Sequence, residues 1–182
     1  ALELTFDDID NVPVDDASSV SDWNTYFNLP TNGTPFTSVA VDGNVVKLYG
    51  GSGIHGRISL FTNDIPMPQV SDYLISIVDN CNCIESIDMY ALYQSSLERI
   101  HLPALLSCGY RFCLSIQSLQ QVYIPLCTNL GGSVGSDLCF YENPGQTITL
   151  TIPSSLMTCN SGNPDGDIAY LQANNTVTII QV

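Results

Sequence analysis

An internal repeat in the middle of the chain restricts the possible folds more than any other feature. The segment Leu97–Leu105 has the pattern Leu-x-x-Ile-x-Leu-Pro-x-Leu, and the next copy, Leu119–Cys127, reads Leu-x-x-Val-x-Ile-Pro-x-Cys. The glycines that follow, Gly109 and Gly131, keep the same offset. Repeats of this length and apolar spacing are typical of solenoids, in which each unit adds a short strand to a parallel sheet.

Two further units extend the repeat. Towards the N-terminus, residues 75–90 keep the apolar pattern, although Asn80-Cys81 replaces Leu-Pro. Towards the C-terminus, Thr147-x-x-Leu150-x-Ile152-Pro153 follows an insertion of six residues. We predict three well-formed units and a fourth, degenerate one, with proline ending each well-formed strand. One aromatic residue in each unit is expected to fill the space between stacked units: Tyr90, Phe112 and Phe140.

The flanking residues predict caps for the two ends of the stack, because an open end would expose apolar surface and strand edges. Ser19 and Asp22 resemble a capping box that opens a short helix, and Asp42-Gly43 is a hairpin turn between valine-rich strands. Near the C-terminus the sequence predicts a short helix from Asp165 and a last strand over residues 176–182. We therefore predict one continuous domain of the α/β or mainly β class, with a parallel sheet. It comprises a cap over 1–71, leucine-rich repeats over 72–156 and a cap over 157–182.

The repeat motif resembles the BspA-type leucine-rich repeats, in which Leu-x-x-Ile-x-Ile-Pro is followed by a Gly turn and a Phe. The resemblance covers residues 72–156, and the chain differs in the length of its units and in having Cys108-Gly109 where Ile-Gly is usual. The whole chain also resembles uncharacterised repeat proteins of Flavobacteria and their phages. The resemblance implies a surface-exposed binding or adhesion module that lies outside the cell, on a cell surface or on a virion, and it implies no chemistry.

The charge balance argues against two classes of partner. The chain has 18 acidic residues against four basic ones and a formal net charge of −14. Nucleic acids and anionic membranes are bound through clustered Lys and Arg, and the basic residues here are scattered: Lys47, Arg57, Arg99 and Arg111. No stretch approaches the run of ~20 apolar residues that spans a bilayer. We therefore expect neither nucleic-acid binding nor membrane insertion.

Two glycine motifs resemble catalytic signatures but lack the required context. Gly51–Gly56 fits the dinucleotide pattern G-x-G-x-x-G, yet Pro66 and Pro68 follow where a helix should begin. Gly131–Gly135 fits the nucleophile pattern G-x-S-x-G, yet both histidines precede it, whereas that fold places its histidine last. We predict no catalytic residue and a non-enzymatic protein.

Cysteines and carboxylates are the potential metal ligands of the chain. The seven cysteines lack zinc-finger spacing, because Cys81-Asn-Cys83 is one residue short of C-x₂-C, and they are expected to be small buried thiols or inter-unit disulfides. Asn163-Pro-Asp165-Gly-Asp167 resembles the middle of a calcium loop, so Asn163, Asp165 and Asp167 are candidate ligands. The alternative is a helix N-cap. No other cofactor is predicted.

Strands that stack in register would place equivalent residues of successive units side by side, ~4.8 Å from each other. The predicted central ladder is Asp79, His101, Tyr123 and Thr151, and the predicted neighbouring ladder is Ile77, Arg99, Gln121 and Thr149. A face that combines an aromatic ring, histidine, arginine, amide and hydroxyl groups suits polar recognition. We expect ligand contacts from Asp79, His101, Tyr123, Thr151, Arg99 and Gln121.

The sequence therefore favours a non-enzymatic extracellular module that binds a cell-surface glycan or protein. The alternative is a structural part of an extracellular assembly, such as a virion or tail appendage, packed against neighbouring subunits. The sequence leaves both open.

Overall fold

The computed structural model describes residues 1–55, 73–87, 92, 96–109, 111–113, 116–131, 139–140 and 144–182. Within these residues the strands form one sheet of eight and one of three. The strands are β1 Leu2–Phe6, β2 Ser38–Asp42, β3 Val45–Tyr49, β4 Leu74–Asp79, β5 Ser86–Ile87, β6 Arg99–His101, β7 Ser107–Cys108, β8 Gln121–Tyr123, β9 Asn129–Leu130, β10 Thr147–Ile152 and β11 Thr176–Gln181.

The large sheet has the strand order β11-β10-β8-β6-β4-β1-β3-β2. Its neighbours from β4 to β11 are parallel. The remaining strands pair antiparallel, β1 with both β4 and β3, and β3 with β2. The described residues also contain two α-helices, α1 Val20–Tyr26 and α2 Gly166–Asn174. The fold is thus mixed α/β with a large, mostly parallel sheet, which agrees with the predicted class at this level.

Three of the repeat units contribute a strand to both sheets, and the last unit contributes β10 to the large sheet alone among the described residues. Strands β4, β6 and β8 lie in the large sheet, and β5, β7 and β9 form the small parallel sheet. Corresponding apolar positions of successive units, such as Leu105 and Cys127, are fully buried in one hydrophobic core. Phe112 and Phe140 are buried in the same core, as predicted, and Tyr90 lies outside the described residues.

The N-terminal residues form the predicted helix and hairpin. The Ser19 side chain accepts a hydrogen bond from the Asp22 N–H and caps α1, whose Trp23 is buried against Phe6 and Phe27. The Trp23 indole N–H donates to the Ala17 carbonyl, which satisfies its one polar atom. Strand β1, which we did not predict, inserts between the hairpin and the first repeat strand.

At the C-terminus the predicted helix and strand are both present. Asp165 caps α2, and β11 adds to the large sheet beside β10 over six paired residues. None of the helices in the described part of the chain has the length and apolar character needed to cross a membrane.

Candidate functional site

The repeat strands arrange outward side chains in two rows on the large sheet. His101 of β6 pairs with Val78 of β4 and with Tyr123 of β8, which in turn pairs with Thr151 of β10. We call these four residues the central row. The flanking row, two residues earlier on each strand, consists of Ser76, Arg99, Gln121 and Thr149.

The register corrects one predicted ligand. We expected Asp79 to lie beside His101, but the pairing of β4 with β6 places Val78 there, one position earlier than the repeat predicts. Because alternate strand residues face opposite sides of a sheet, this one-residue difference moves Asp79 to the inner side. Asp79 is fully buried, and Ile77, expected in the neighbouring ladder, is buried as well. The prediction that Asp79 belongs to the outer face was therefore wrong.

The other predicted face residues lie in the rows but differ in exposure. Arg99 and Gln121 are exposed, and His101 and Tyr123 are partly buried. Thr151 is 7% exposed, so little of its surface remains for a ligand. The accessible part of the face is therefore centred on Arg99, His101, Gln121 and Tyr123.

The aromatic rings of His101 and Tyr123 stack against each other. Their centroids are 4.4 Å apart and their planes are 10° from parallel. Partial burial and the neighbouring Arg99 guanidinium hold the pKa of the His101 imidazole below its ordinary value, and Asp79 opposes them. The site thus favours a neutral imidazole, which keeps both a hydrogen-bond donor and an acceptor.

A cleft adjoins the flanking row at the start of β8 and β10. Its volume is about 450 Å³, and the side-chain amide of Gln146 lies in its wall. The Nε2 of Gln146 donates to the Ile116 carbonyl at 2.7 Å, while its buried Oε1 has no hydrogen-bond partner within the described chain. The lining of the cleft is mostly polar, and the Oε1 of Gln146 is buried beside it. It is lined by Gln117, Ser118, Leu119, Gln120, Gly145, Gln146 and Thr147.

The three candidate calcium ligands do not form one donor set. Asp165 caps α2 by accepting the Asp167 N–H at 3.0 Å, which is the alternative that the sequence left open. Asp167 is buried and accepts the N–H groups of Cys139 and Phe140 at 2.6 and 3.0 Å. Asn163 is exposed and donates to the Asn160 carbonyl. The carboxylates therefore serve backbone groups of different segments, and the calcium prediction has no geometric support.

The cysteines are free thiols, and most are buried. Cys81 and Cys159 are exposed, and the other five are buried, as expected for small packing residues: Cys83, Cys108, Cys113, Cys127 and Cys139. Burial raises the pKa of the Cys113 and Cys139 thiols, so both are protonated at neutral pH.

Asp79, Cys81 and Cys83 form a cluster that we did not predict from the sequence. Asp79 Oδ1 lies 3.1 Å from the Cys81 Sγ and 3.3 Å from the Cys83 Sγ. The donor atoms of all three side chains lie within 4.8 Å of one another. Burial, followed by the Asp79 charge, raises the pKa of the Cys83 thiol, and burial is also the main cause of a raised pKa at Cys81. The Asp-x-Cys-x-Cys spacing is the sequence feature that could have indicated this cluster.

The glycine motifs fall partly outside the described residues, which exclude Gly56, Pro66, Pro68 and 132–138. The described part of the first motif is irregular chain with isolated β-bridges at Ser52 and Ile54, and Gly51 is buried against Phe36. A Cβ at Gly51 would come within 2.5 Å of the Phe36 ring, so this glycine is required for packing. Next to the motif, His55 Nε2 lies 3.4 Å from Glu85 Oε2 in a half-exposed pair that the sequence did not reveal.

Comparison with known proteins gives no match. No protein family fits the sequence, and neither a curated protein nor a solved structure is significantly similar to it. The functional argument therefore depends on the residues themselves.

Proposed function

We propose that the protein is a non-enzymatic, surface-exposed binding or adhesion module. Its ligand is a polar chain, a glycan or a protein segment, and the recognition surface is the outer face of the large sheet around His101 and Tyr123. We further propose that the repeats form a short leucine-rich-repeat solenoid. The support for the solenoid is that two successive units add parallel strands to both sheets with the same offset of 22 residues, Arg99 to Gln121 in the large sheet and Ser107 to Asn129 in the small one.

The observation that carries the proposal is the His101–Tyr123 stack within the rows. Because the rings cover each other's faces, they stand side by side on the sheet with their edges outward. An approaching ligand then meets the polar edges of an imidazole and a phenol rather than a flat apolar ring. Arg99 and Gln121 add exposed guanidinium and amide donors beside them. Such a surface favours hydrogen bonds to hydroxyl, carbonyl or carboxylate groups.

The charge of this face also differs from that of the whole chain. The register places Lys47 and Arg99, two of the four basic residues, on the outer face together with Glu3. Asp42 of β2 is the fourth charged residue on this side among the strands that the structure describes. These charges cancel, although the chain as a whole carries −14. A ligand with carboxylate groups can therefore approach this face without the repulsion expected from the net charge of the chain.

The cleft beside the flanking row extends the proposed surface. A chain-like ligand lying across Arg99 and Gln121 can reach the exposed polar side chains of Gln117, Gln120 and Thr147 in the cleft. The Oε1 of Gln146 is buried, so it does not face such a ligand.

A glycan array tests the proposal directly. The wild type is compared with Tyr123→Ala, which removes one ring of the stack, and with Tyr49→Ala as a matched control. Tyr49 is a 40% exposed tyrosine on the same face, four strand spacings or about 19 Å away. We expect affinity to fall at least 10-fold in Tyr123→Ala and to remain unchanged in Tyr49→Ala. Equal affinity in all three proteins would remove the binding role of this face.

A second function, a structural role in an extracellular assembly, is favoured by the sheet edges. In the described chain β11 pairs only with β10 and β2 only with β3, so both outer strands present a free edge. Ile180 on β11 is 47% exposed, and Val41 on β2 is 39% exposed. Open edges with apolar residues are prone to pair with other strands.

Light scattering distinguishes the two functions. An assembly subunit should form oligomers whose mass increases with concentration, and Ile180→Lys should dissociate them. A monomer at all concentrations would oppose the assembly role. If no glycan on the array binds either, the ligand of the proposed face would be a protein.

A further inference from the structure

The turn after β4 places two thiols in contact with one buried carboxylate. Asp79 is the last residue of β4, and a tight turn through Asn82, whose φ is 55°, leads to Cys83 and Ile84. Cys81 and Cys83 thereby flank the same oxygen, Asp79 Oδ1, at 3.1 and 3.3 Å. No described residue of the proposed sheet face takes part in this cluster.

The carboxylate is held in place by the backbone. The Ile84 N–H donates to Asp79 Oδ2 at 2.9 Å, and the Cys81 N–H donates to Oδ1 at 3.2 Å. Hydrogen bonds of this kind orient a metal ligand before the metal arrives, as outer-shell partners do in known metal sites. The cluster is therefore a preformed donor set.

We propose that Asp79, Cys81 and Cys83 bind a zinc ion. Tetrahedral zinc with Zn–S of about 2.3 Å and Zn–O of about 2.0 Å requires S···O separations of about 3.5 Å. The two observed separations are within a few tenths of an ångström of that value. Small side-chain rotations would complete the geometry.

The donor types select the metal. Two thiolates are soft ligands that favour zinc, whereas calcium and magnesium require oxygen ligands. The spacing of the two cysteines is one residue shorter than C-x₂-C, and the third ligand, Asp79, lies two residues before the first cysteine. Three protein ligands leave the fourth position to water.

Cys81 is the exposed member of the three ligands, whereas Asp79 and Cys83 are fully buried. Zinc would enter past Cys81, and the net charge of −14 raises the local concentration of cations.

Cobalt(II) serves as a spectroscopic probe of the reduced, chelator-treated chain. We expect a thiolate-to-cobalt charge-transfer band that saturates at one cobalt per chain and disappears on addition of zinc. Cys81→Ser should abolish the band, because an exposed position tolerates the change while one of two thiolates is lost. Cys159→Ser is the matched control: Cys159 is also exposed and lies 3.9 Å from a carboxylate oxygen of Asp165, but it should leave the band intact.

Asp79→Asn tests the carboxylate, since it removes the charge and keeps an acceptor oxygen for one of the two backbone N–H groups. We expect zinc affinity to fall at least 10-fold while circular dichroism stays unchanged. Alkylation of the wild type provides a second measurement that needs no variant. Zinc should protect the peptide containing Cys81 and Cys83 from alkylation, whereas excess calcium should not. Absence of a charge-transfer band in the reduced wild type, or an equal band in Cys81→Ser, would overturn the proposal. A Cys81–Cys83 disulfide that forms in preference to zinc binding would also overturn it.

Discussion

The imidazole of His101 lies against the phenol ring of Tyr123, 4.4 Å from centroid to centroid, on adjacent parallel strands. The contact follows directly from the repeat, because the two residues occupy the same position in successive units and lie directly opposite each other in the register. It also places an ionisable group inside a row of uncharged residues, which has a measurable consequence.

The first prediction concerns the titration of His101. Burial and the Arg99 charge lower its pKa, so its midpoint in an NMR titration should lie below about 6.5. Arg99→Gln should raise the midpoint, and Arg99→Lys, which keeps the charge, should not. An equal midpoint in Arg99→Gln and the wild type would contradict the assigned cause.

The same shift predicts a pH dependence of stability. Because the folded protein binds the His101 proton less readily than the unfolded chain, its contribution to stability is complete above the unfolded pKa of about 6.5. It is lost as the pH falls through the folded pKa. Between about pH 7 and pH 5 the melting temperature of His101→Gln should therefore decrease less than that of the wild type. A parallel decrease in both proteins would show that His101 does not contribute.

The second prediction compares two adjacent leucines of one repeat unit. Leu105 is fully buried, whereas Leu106 is 49% exposed. Leu105→Ala should lower the free energy of unfolding by about 2–5 kcal/mol, because it leaves a cavity in the core. Leu106→Ala should change it by about 0.5 kcal/mol or less. Guanidinium titrations under reducing conditions measure both, and similar losses would show that the unit packs differently.

The repeat pattern predicted the parallel strands well, but it could not determine the register next to the degenerate unit. The unit that contains Asn80-Cys81 in place of Leu-Pro pairs with the next unit one position out of step with the repeat, Val78 rather than Asp79 opposite His101. A strand has a side-chain period of two, so this single residue placed Asp79 in the core instead of on the face. Apolar periodicity carries no information about such a slip.

Contacts between segments that are far apart in the sequence could likewise not be predicted from local motifs. Strand β1 has an alternating burial pattern, yet its position between β3 and β4 depends on pairing with residues far along the chain, such as Leu2 with Asp79. The role of Asp167 as acceptor for Cys139 and Phe140 also joins α2 to a segment that precedes β10. Local motifs revealed only the neighbouring N-cap at Asp165.

The third prediction tests that role of Asp167. Asp167→Ala leaves the buried N–H groups of Cys139 and Phe140 without this acceptor, so the free energy of unfolding should fall by about 2–4 kcal/mol. Asp167→Asn keeps one acceptor oxygen and should lose less. Excess calcium should leave the melting temperature of the wild type unchanged. A calcium-dependent increase that disappears in Asp167→Asn would restore the calcium loop.

The fourth prediction concerns the thiols. Because only Cys81 and Cys159 are exposed, a disulfide-exchange reagent should label two thiols in the native, chelator-treated protein and seven after unfolding in denaturant. Labelling of Cys159 should be slow, since partial burial and the nearby Asp165 raise the pKa of its thiol and only the thiolate reacts. Cys81→Ser and Cys159→Ser should each remove one native thiol, and Cys113→Ser none. Fewer than seven thiols in the unfolded, unreduced protein would show that disulfides form between units, in conflict with the seven free thiols of the structure.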